Sequence, residues 1–236
     1  EKLKDWFVPE SLAVSRVLDD DAVIAADFRI DPGGHMRFAI FARPNTGSRR
    51  VGRVIQRLCE IETYKAMAMI GFFRSKELSA KLTGLDERLN TLTGELSGGG
   101  PGDTESTLRQ LLQVSGELEE LSTSVSFRFG ATGAYETIVN QRVQVLREAR
   151  FNGRQTFSEF MMRRFDPAMR TVASTKARLE AMSARALRAS DLLRTRVDVQ
   201  LSRENKALLE SMDRRADLQL RLQKTVEGLS VVAISY

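Results

Sequence analysis

Alternating apolar and polar residues near the start of the chain predict a small antiparallel sheet. Every second residue is apolar in 24–30 and again in 36–42, which is the period of a strand with one buried face. The segment 31–35, with its proline and two glycines, predicts the hairpin turn between them. Residues 12–18 predict a third strand, joined to the next by an acidic turn at 19–21. A sheet of this size requires a helix over its apolar face.

An apolar pattern of helical period follows and predicts that covering helix, with Thr46 or Ser48 as its N-cap. Leucines then recur at alternating spacings of four and three, the pattern of a coiled-coil seam: Leu78, Leu82, Leu85, Leu89, Leu92 and Leu96. A matching stripe follows the glycine-rich segment 98–102: Leu108, Leu111, Leu118, Leu121 and Val125. Two stripes joined by a short loop predict an antiparallel helical hairpin. We expect it to project from the sheet region, and packing of both helices on the main core is the alternative.

Glycine and proline positions divide the second half of the chain. Gly130 and Gly133 are expected to interrupt the helical pattern. A short helix is predicted over 155–165, and the pair Asp166–Pro167 predicts the start of a long helix. No glycine or proline occurs from 168 to 227.

These patterns predict an α+β fold that is mostly α. It comprises a small antiparallel sheet covered by helices, an antiparallel coiled-coil hairpin and a very long, stalk-like C-terminal helix. The predicted regions are an α/β region with its covering helix (1–75), the projecting hairpin (76–127), a helical return (128–166) and the long helix (167–236), which leads toward a membrane segment.

The long helix carries two rows of residues that each recur every seven positions. Polar residues in these rows suit a wide bundle with a wet centre better than a dry two-stranded coil. We therefore expect self-association, and packing of this helix on its own domain is the alternative. The candidate oligomer-facing or pore-facing residues are Leu208, Met212, Arg215, Gln219, Leu222, Val226 and Leu229.

Glu62 lies within the apolar stripe of the covering helix, four residues after Leu58 and seven after Ile55. A buried carboxylate needs a cationic partner or a raised pKa. We expect Glu62 to be largely buried and ion-paired, with Arg29 or Arg37 of the sheet as the partner. A structural role for this pair is favoured over a functional one.

Composition excludes several kinds of site. Among its 236 residues the chain has one cysteine and one histidine, Cys59 and His35, which excludes an internal disulfide and a Cys/His zinc site. No phosphate-binding loop or nucleophile motif is present, so we predict no enzyme, no catalytic or metal-ligating residue and no cofactor. One interpretation of the acidic run 19–21 is a binding site for a divalent cation, and a solvated turn is the favoured alternative.

The distribution of charge along the chain indicates whether it binds nucleic acid. The chain carries a net charge of +5, and the excess of lysine and arginine lies in 168–227. Nucleic-acid binding is one interpretation. Acidic residues are interleaved with the basic ones, however, and no aromatic residue lies between Phe165 and Tyr236. A solvated helix face is therefore favoured, and we expect no nucleic acid partner.

The last residues, 228–236, carry no charge and follow a basic stretch, as is typical of the cytoplasmic flank of a membrane segment. Crossing a bilayer takes about 20 residues. We therefore expect this run either to end a buried helix or to begin a membrane span that continues after Tyr236. The basic residues are Arg214, Arg215, Arg221 and Lys224.

Four stretches resemble a bacterial family of membrane-anchored proteins known as domain of unknown function 3422. They are Ala26–Arg29, Arg57–Tyr64, Leu193–Asp198 and, most specifically, Leu218–Tyr236. The resemblance covers essentially the whole chain. It implies a further N-terminal part and two membrane segments after Tyr236, so that the protein contacts lipid in the inner membrane while this domain lies in the cytoplasm. The family supplies no activity or catalytic residue to carry over.

The order of elements is also similar to that of CorA-type divalent-cation channels, which are pentamers whose long helices lead into the pore. Their Gly-Met-Asn signature would fall after Tyr236. The resemblances together imply the cytoplasmic domain of a membrane-anchored homo-oligomer, with a CorA-like ion channel or transporter as one form of it. The alternative is a membrane-tethered coiled-coil scaffold that binds a protein partner.

Overall fold

The computed structural model of the chain describes residues 2–97 and 104–234. The fold is mostly helical with one small antiparallel sheet, which confirms the predicted fold class. A short 3-10 turn spans Pro9–Ser11. The helices and strands, in chain order, are α1 (Lys2–Trp6), β1 (Ala13–Val17), β2 (Ala22–Ile30), β3 (Met36–Ala42), α2 (Ser48–Ser97), α3 (Thr104–Leu146), β4 (Ala149–Arg150) and α4 (Phe157–Ile234).

The sheet has the order β3-β2-β1-β4, and all its pairs are antiparallel. The three predicted strands are present, and β1, β2 and β3 overlap the predicted ranges 12–18, 24–30 and 36–42. The fourth strand, β4, has only two residues, which pair with Ser15 and Arg16 of β1. Two residues carry no readable period, so the sequence did not predict it.

Both faces of the sheet are covered, although the pattern predicts one apolar face. Phe7, which follows α1, packs with Val14 and Ala25 on the face expected to be polar. Asp27 is buried on β2, where its carboxylate accepts hydrogen bonds from the N–H groups of Val8 and Arg29, both at 3.1 Å. The N-terminal segment therefore closes this face, and Asp27 fixes that segment through Val8.

The leucine stripe of α2 is buried at Leu78, Leu82, Leu85, Leu89 and Leu92. Leu96 lies outside the side chains that the structure describes. On α3 the matching stripe is buried at Leu111, Leu118 and Val125 and half-buried at Leu108 and Leu121. The helical hairpin read from the two stripes thus forms with both stripes turned inward.

Gly130 and Gly133 do not interrupt α3, which is continuous from Thr104 to Leu146. A glycine inside a helix costs only about 1 kcal/mol relative to alanine. The neighbouring residues Phe129 and Val139 are buried. Burial of such side chains contributes about 1.5–3 kcal/mol each and outweighs the cost of the glycines.

α2 and α3 approach closely where Gly71 faces Thr132. A Cβ atom on Gly71 would lie 2.0 Å from Thr132 Oγ1 and 3.0 Å from Thr132 Cβ. Thr132 is buried, and its hydroxyl donates a hydrogen bond to the carbonyl of Arg128 (2.8 Å). This contact between the two helices requires the absence of a side chain at position 71.

The chain divides into two compact units, and each contains segments of all three long helices. The first comprises residues 1–85 and 118–182, and includes the sheet. The second comprises 86–117 and 183–236, and includes the ends of α2 and α3 that flank the glycine-rich segment.

In the second unit, α4 is a third helix beside the hairpin. Arg185 of α4 donates a hydrogen bond to Asp86 of α2, with 2.5 Å between Nη2 and Oδ1. Ala186 and Leu193 on α4 are also buried. The sequence predicts a hairpin of two helices here, and the structure adds the third.

α4 begins at Phe157 and passes through Pro167, so the predicted break between a short helix at 155–165 and a long helix starting at Asp166–Pro167 is absent. The stronger start signal is a capping box ten residues earlier. Glu159 N donates to Thr156 Oγ1 (3.1 Å), and Thr156 N donates to Glu159 Oε2 (3.0 Å). A proline inside a helix costs about 3 kcal/mol, which this cap and the buried residues of the following turns offset.

Candidate functional site

The most unusual surface of the described chain is the later part of α4. Among the side chains that the structure describes, the last buried one on this helix is Leu193, and every side chain from 198 to 222 is exposed. Large apolar side chains lie among them: Val199, Leu201, Leu208, Leu209, Met212, Leu218, Leu220 and Leu222. Isolated exposed leucines are ordinary on protein surfaces, but a contiguous apolar row marks an interaction surface.

The seven-residue rows predicted from the sequence lie within this stretch. We call their described members the exposed seam: Leu201, Asn205, Leu208, Met212, Arg215, Gln219 and Leu222. Leu208 is 59% exposed and Leu222 is 69% exposed, and Arg215 and Gln219 are exposed between them. Val226 and Leu229 lie outside the side chains that the structure describes, so their predicted place in the seam stays a prediction.

The exposed seam continues a face of α4 that is buried earlier in the same unit. At about 100° per residue, Ala186, Ser190 and Leu193 lie within about 60° of Leu208 around the helix axis. Those three residues are buried by their own chain. After Leu193 the same face loses that cover, although its apolar residues continue.

Two exposed leucines lie beside the seam but outside the seven-residue rows predicted from the sequence. Leu209 and Leu218 lie about 100° and 80° on either side of Leu208. They occupy the flanking e and g positions, which in a two-stranded coil are often charged. The signal that could have found them is the apolar character of those flanking positions in the same heptads.

Charged residues of both signs occupy the opposite face of α4. Arg203, Arg214 and Arg221 lie about 120–140° from Leu208, and all three are exposed. Arg214 also lies near Glu210 of the preceding turn, with 3.9 Å between Nη2 and Oε2. Glu210, Asp213 and Asp217 share that face, so α4 has a charged face of mixed sign opposite the exposed seam.

Glu62 forms a local ion pair and not the predicted pair with the sheet. Its partner is Lys65, one turn along α2, with 2.5 Å between Oε2 and Nζ, and each side chain is 19% exposed. Arg29 instead donates its Nε–H to Ser11 Oγ (3.2 Å), and Arg37 is exposed on β3. Residues three apart on a helix are neighbours, so Lys65 reaches Glu62 without a long-range contact.

The acidic turn at 19–21 is neutralised by arginines from three other parts of the chain. Arg147 pairs with Asp19, with 2.6 Å between Nη1 and Oδ2, and Arg43 and Arg50 pair with Asp20 and Asp21. Within residues 2–97 and 104–234, no three His, Cys, Asp or Glu side chains are grouped so that they could hold a metal ion. The turn is therefore explained by these ion pairs.

A buried carboxyl group lies at the start of α4. Glu148 Oε2 accepts hydrogen bonds from the backbone N–H (3.1 Å) and the hydroxyl (3.3 Å) of Ser158. Phe157 N–H donates to Ser15 Oγ of β1 (3.4 Å). Burial raises the pKa of Glu148, although the hydrogen bonds from Ser158 oppose this. The Glu148 carboxyl group therefore accepts a hydrogen bond from a backbone N–H group in the first turn of α4, which has no partner within the helix.

The raised pKa of Glu148 makes stability fall as pH rises. From the ordinary value near 4.5 up to the raised pKa, the folded chain holds a proton that the unfolded chain has lost. We expect Glu148→Gln to abolish this component, so that the variant gains stability relative to wild type as pH increases. Urea unfolding at pH values from 4 to 7 measures the difference.

Glu159 provides the matched control for this titration, because the Thr156 N–H and Arg150 lower its pKa. Glu159→Gln should therefore lose stability relative to wild type as pH rises toward the ordinary pKa near 4.5, and its curve should run parallel to that of wild type above this value. Parallel curves for wild type and Glu148→Gln would contradict the assignment.

Within the described ranges, no helix combines the length and apolar character needed to cross a membrane. Comparison with known protein families gives a match over residues 1–236 to the family described as "Protein of unknown function (DUF3422)". The chain belongs to this family, and the predicted membership of domain of unknown function 3422 is confirmed. Comparison with curated proteins and with solved structures gives no match.

Proposed function

We propose that the chain is the assembly region of a membrane-anchored homo-oligomer, in which residues 198–222 of α4 pack against the same helix of other copies. The observation that supports this proposal is the exposed seam. Each leucine or valine moved from water into a bundle contributes about 1.5–3 kcal/mol. A helix that keeps such a row in water is much less stable than one that shares it with neighbours.

A second copy of the chain is the occupant that fits the seam best. In a parallel bundle identical residues meet at the same level, so Asn205 faces Asn205 and Gln219 faces Gln219. Side-chain amides both donate and accept, and they can therefore pair with their own copies. A polar residue at such a position also fixes the register of the helices.

The width of the apolar surface favours more than two helices. Leu209 and Leu218 extend the seam on both sides, so each helix can contact a neighbour on its left and another on its right. A wider bundle also leaves room for water around Arg215 at its centre. These features support a closed ring over a two-stranded coil.

Arginines on the charged face of α4 support attachment to a membrane through segments after Tyr236. Arg203, Arg214 and Arg221 would face outward from the bundle, where anionic headgroups attract them. In this arrangement the domain lies on the cytoplasmic side of the inner membrane. A ring of five copies would favour a CorA-like channel. A dimer would favour the alternative, a scaffold that binds a protein partner.

Cysteine crosslinking tests the arrangement. In a Cys59→Ser background, single cysteines at Leu201, Leu208 and Leu222 should crosslink under mild oxidation, because symmetry brings each close to its copy. Cysteines at Glu210 and Asp217 are the matched controls, since both lie on the opposite face of α4 and are equally exposed. Light scattering on the unmodified chain gives the copy number from its mass relative to 26.5 kDa.

A mass of one chain at about 100 μM, together with equal crosslinking at the seam and control positions, would contradict self-association. Micromolar association is the range expected for a bundle that buries a few leucines per helix. The same measurement on the chain extended to its membrane segments separates weak association of this region from its absence.

A further inference from the structure

A cavity in the sheet-containing unit opens between β2, α2 and the first turns of α4. Its volume is about 160 Å³, and it is open to solvent on one side. Its walls are mainly apolar and aromatic, and two cationic side chains also line it. The lining residues are Phe28, Lys65, Met69, Phe160, Met161, Arg164 and Phe165.

The two cations are held against aromatic rings of the same cavity. Lys65 Nζ lies 5.5 Å from the centroid of the Phe28 ring, and Arg164 Cζ lies 6.0 Å from that of Phe160. Such contacts favour a position of the cation over the ring. Lys65 is already paired with Glu62. In the part of the chain that the structure describes, Arg164 has no carboxylate partner, so it supplies the one uncompensated positive charge.

The aromatic wall is built at a cost in backbone energy. Phe28 has φ of +56°, in a left-handed region that a bulky residue rarely adopts, and it lies where the pairing of β2 with β3 shifts register. Its ring stacks on Phe160 at 4.8 Å between centroids and contacts Phe157 at the same distance. Backbone strain of this kind gathers at binding sites, where the surroundings hold the residue in place.

We propose that this cavity binds a fatty acid, with the alkyl chain among the phenylalanine and methionine side chains and the carboxylate at Arg164. A cavity of about 160 Å³ that opens to solvent takes part of an alkyl chain, and its mainly apolar lining with a few placed polar groups is typical of small-molecule sites. One apolar wall and one unpaired guanidinium match a ligand with one apolar tail and one negative charge. None of the lining residues belongs to the exposed seam, so the site does not depend on self-association.

Titration with sodium dodecanoate below its micelle concentration tests the site. The readout is the methyl NMR spectrum of the methionines, in which Met69 and Met161 should shift saturably. Arg164→Gln should weaken binding by at least about tenfold, because it removes a charge-assisted hydrogen bond. Arg163→Gln is the matched control, because Arg163 is the adjacent exposed arginine and does not line the cavity. This variant should bind dodecanoate as tightly as wild type does.

A second test compares two ligands of opposite charge. Dodecyltrimethylammonium has the same chain with the opposite charge and should bind at least about tenfold more weakly than dodecanoate. Equal weakening by Arg164→Gln and Arg163→Gln, equal binding of the two detergents, or no saturable shift at Met69 and Met161 would each overturn the proposal.

The anionic chain could also come from a phospholipid, and vesicles distinguish this source. Phosphatidylglycerol vesicles should leave the Met69 and Met161 signals unchanged if the ligand is a free fatty acid. Shifts of these signals by vesicles that are lost in Arg164→Gln, without a response to dodecanoate, would overturn the fatty-acid assignment in favour of a lipid phosphate.

Discussion

Replacing both Leu201 and Leu208 with glutamate is expected to leave the protein monomeric while α4 stays helical. Each leucine buried in the bundle contributes about 1.5–3 kcal/mol, so the pair weakens association by about a hundredfold to ten-thousandfold per copy. Identical glutamates would also meet at the same level and repel each other. Both side chains are exposed in the single chain, so their loss should not unfold it.

Val199→Glu is the matched control for this variant. Val199 is an exposed apolar residue on the same stretch of α4, but it lies nine positions before Leu208 and thus on the opposite face. It should leave the mass unchanged. Sedimentation velocity measures the mass, and circular dichroism confirms that the helix content is kept. An unchanged mass for the double variant, with wild type oligomeric, would remove the seam from the interface.

Gly71→Val is expected to lower the free energy of unfolding by about 3 kcal/mol, the upper part of the usual range for overpacking. A Cβ atom at position 71 already lies 2.0 Å from Thr132 Oγ1, and the two further methyl groups of valine find no more room. Because both residues lie inside long helices, relief requires the helices to separate. Chemical denaturation of the purified variant measures the loss.

Gly84→Val controls for the change of residue type, because position 84 lies on the same helix with nothing within 4 Å of its would-be Cβ. It should be neutral or slightly stabilising, since glycine is the poorer helix former. A double-mutant cycle adds further evidence: Gly71→Ala should cost less when Thr132→Ala removes the facing hydroxyl. A loss at position 71 no greater than at position 84 would contradict the close approach.

The sequence predicted the elements that repeat and missed those that depend on a single long-range contact. The leucine stripe from Leu78 to Leu92 was readable because a coiled-coil seam repeats the same physical requirement every turn or two. The strands at 24–30 and 36–42 were readable for the same reason. β4 was not, because its two residues are held by Ser15 and Arg16 of a strand far away in the chain.

Partners of charged residues were the least predictable. The apolar stripe predicted that Glu62 is buried and paired with an arginine of the sheet, but its side chain pairs with Lys65 of the same helix. Asp27 was placed on a polar face that the N-terminal segment covers. The cavity around Phe28 and Arg164 was missed too, because a strand bulge and the first turns of α4 create it only in three dimensions.

The hydrogen bonds at the start of α4 have a consequence for the order of folding. Phe157 N–H donates to Ser15 Oγ across 142 residues of sequence, and closing a loop that long is entropically costly. The local capping box at Thr156 can form early, whereas the bond to Ser15 must await β1. We expect the helical segments to form fast and the docking of α4 on the sheet to limit the rate, as high contact order implies. Thr156→Ala should then slow refolding with little effect on unfolding, because the cap is already formed when docking begins, and Ser15→Ala should speed unfolding more than Thr156→Ala does.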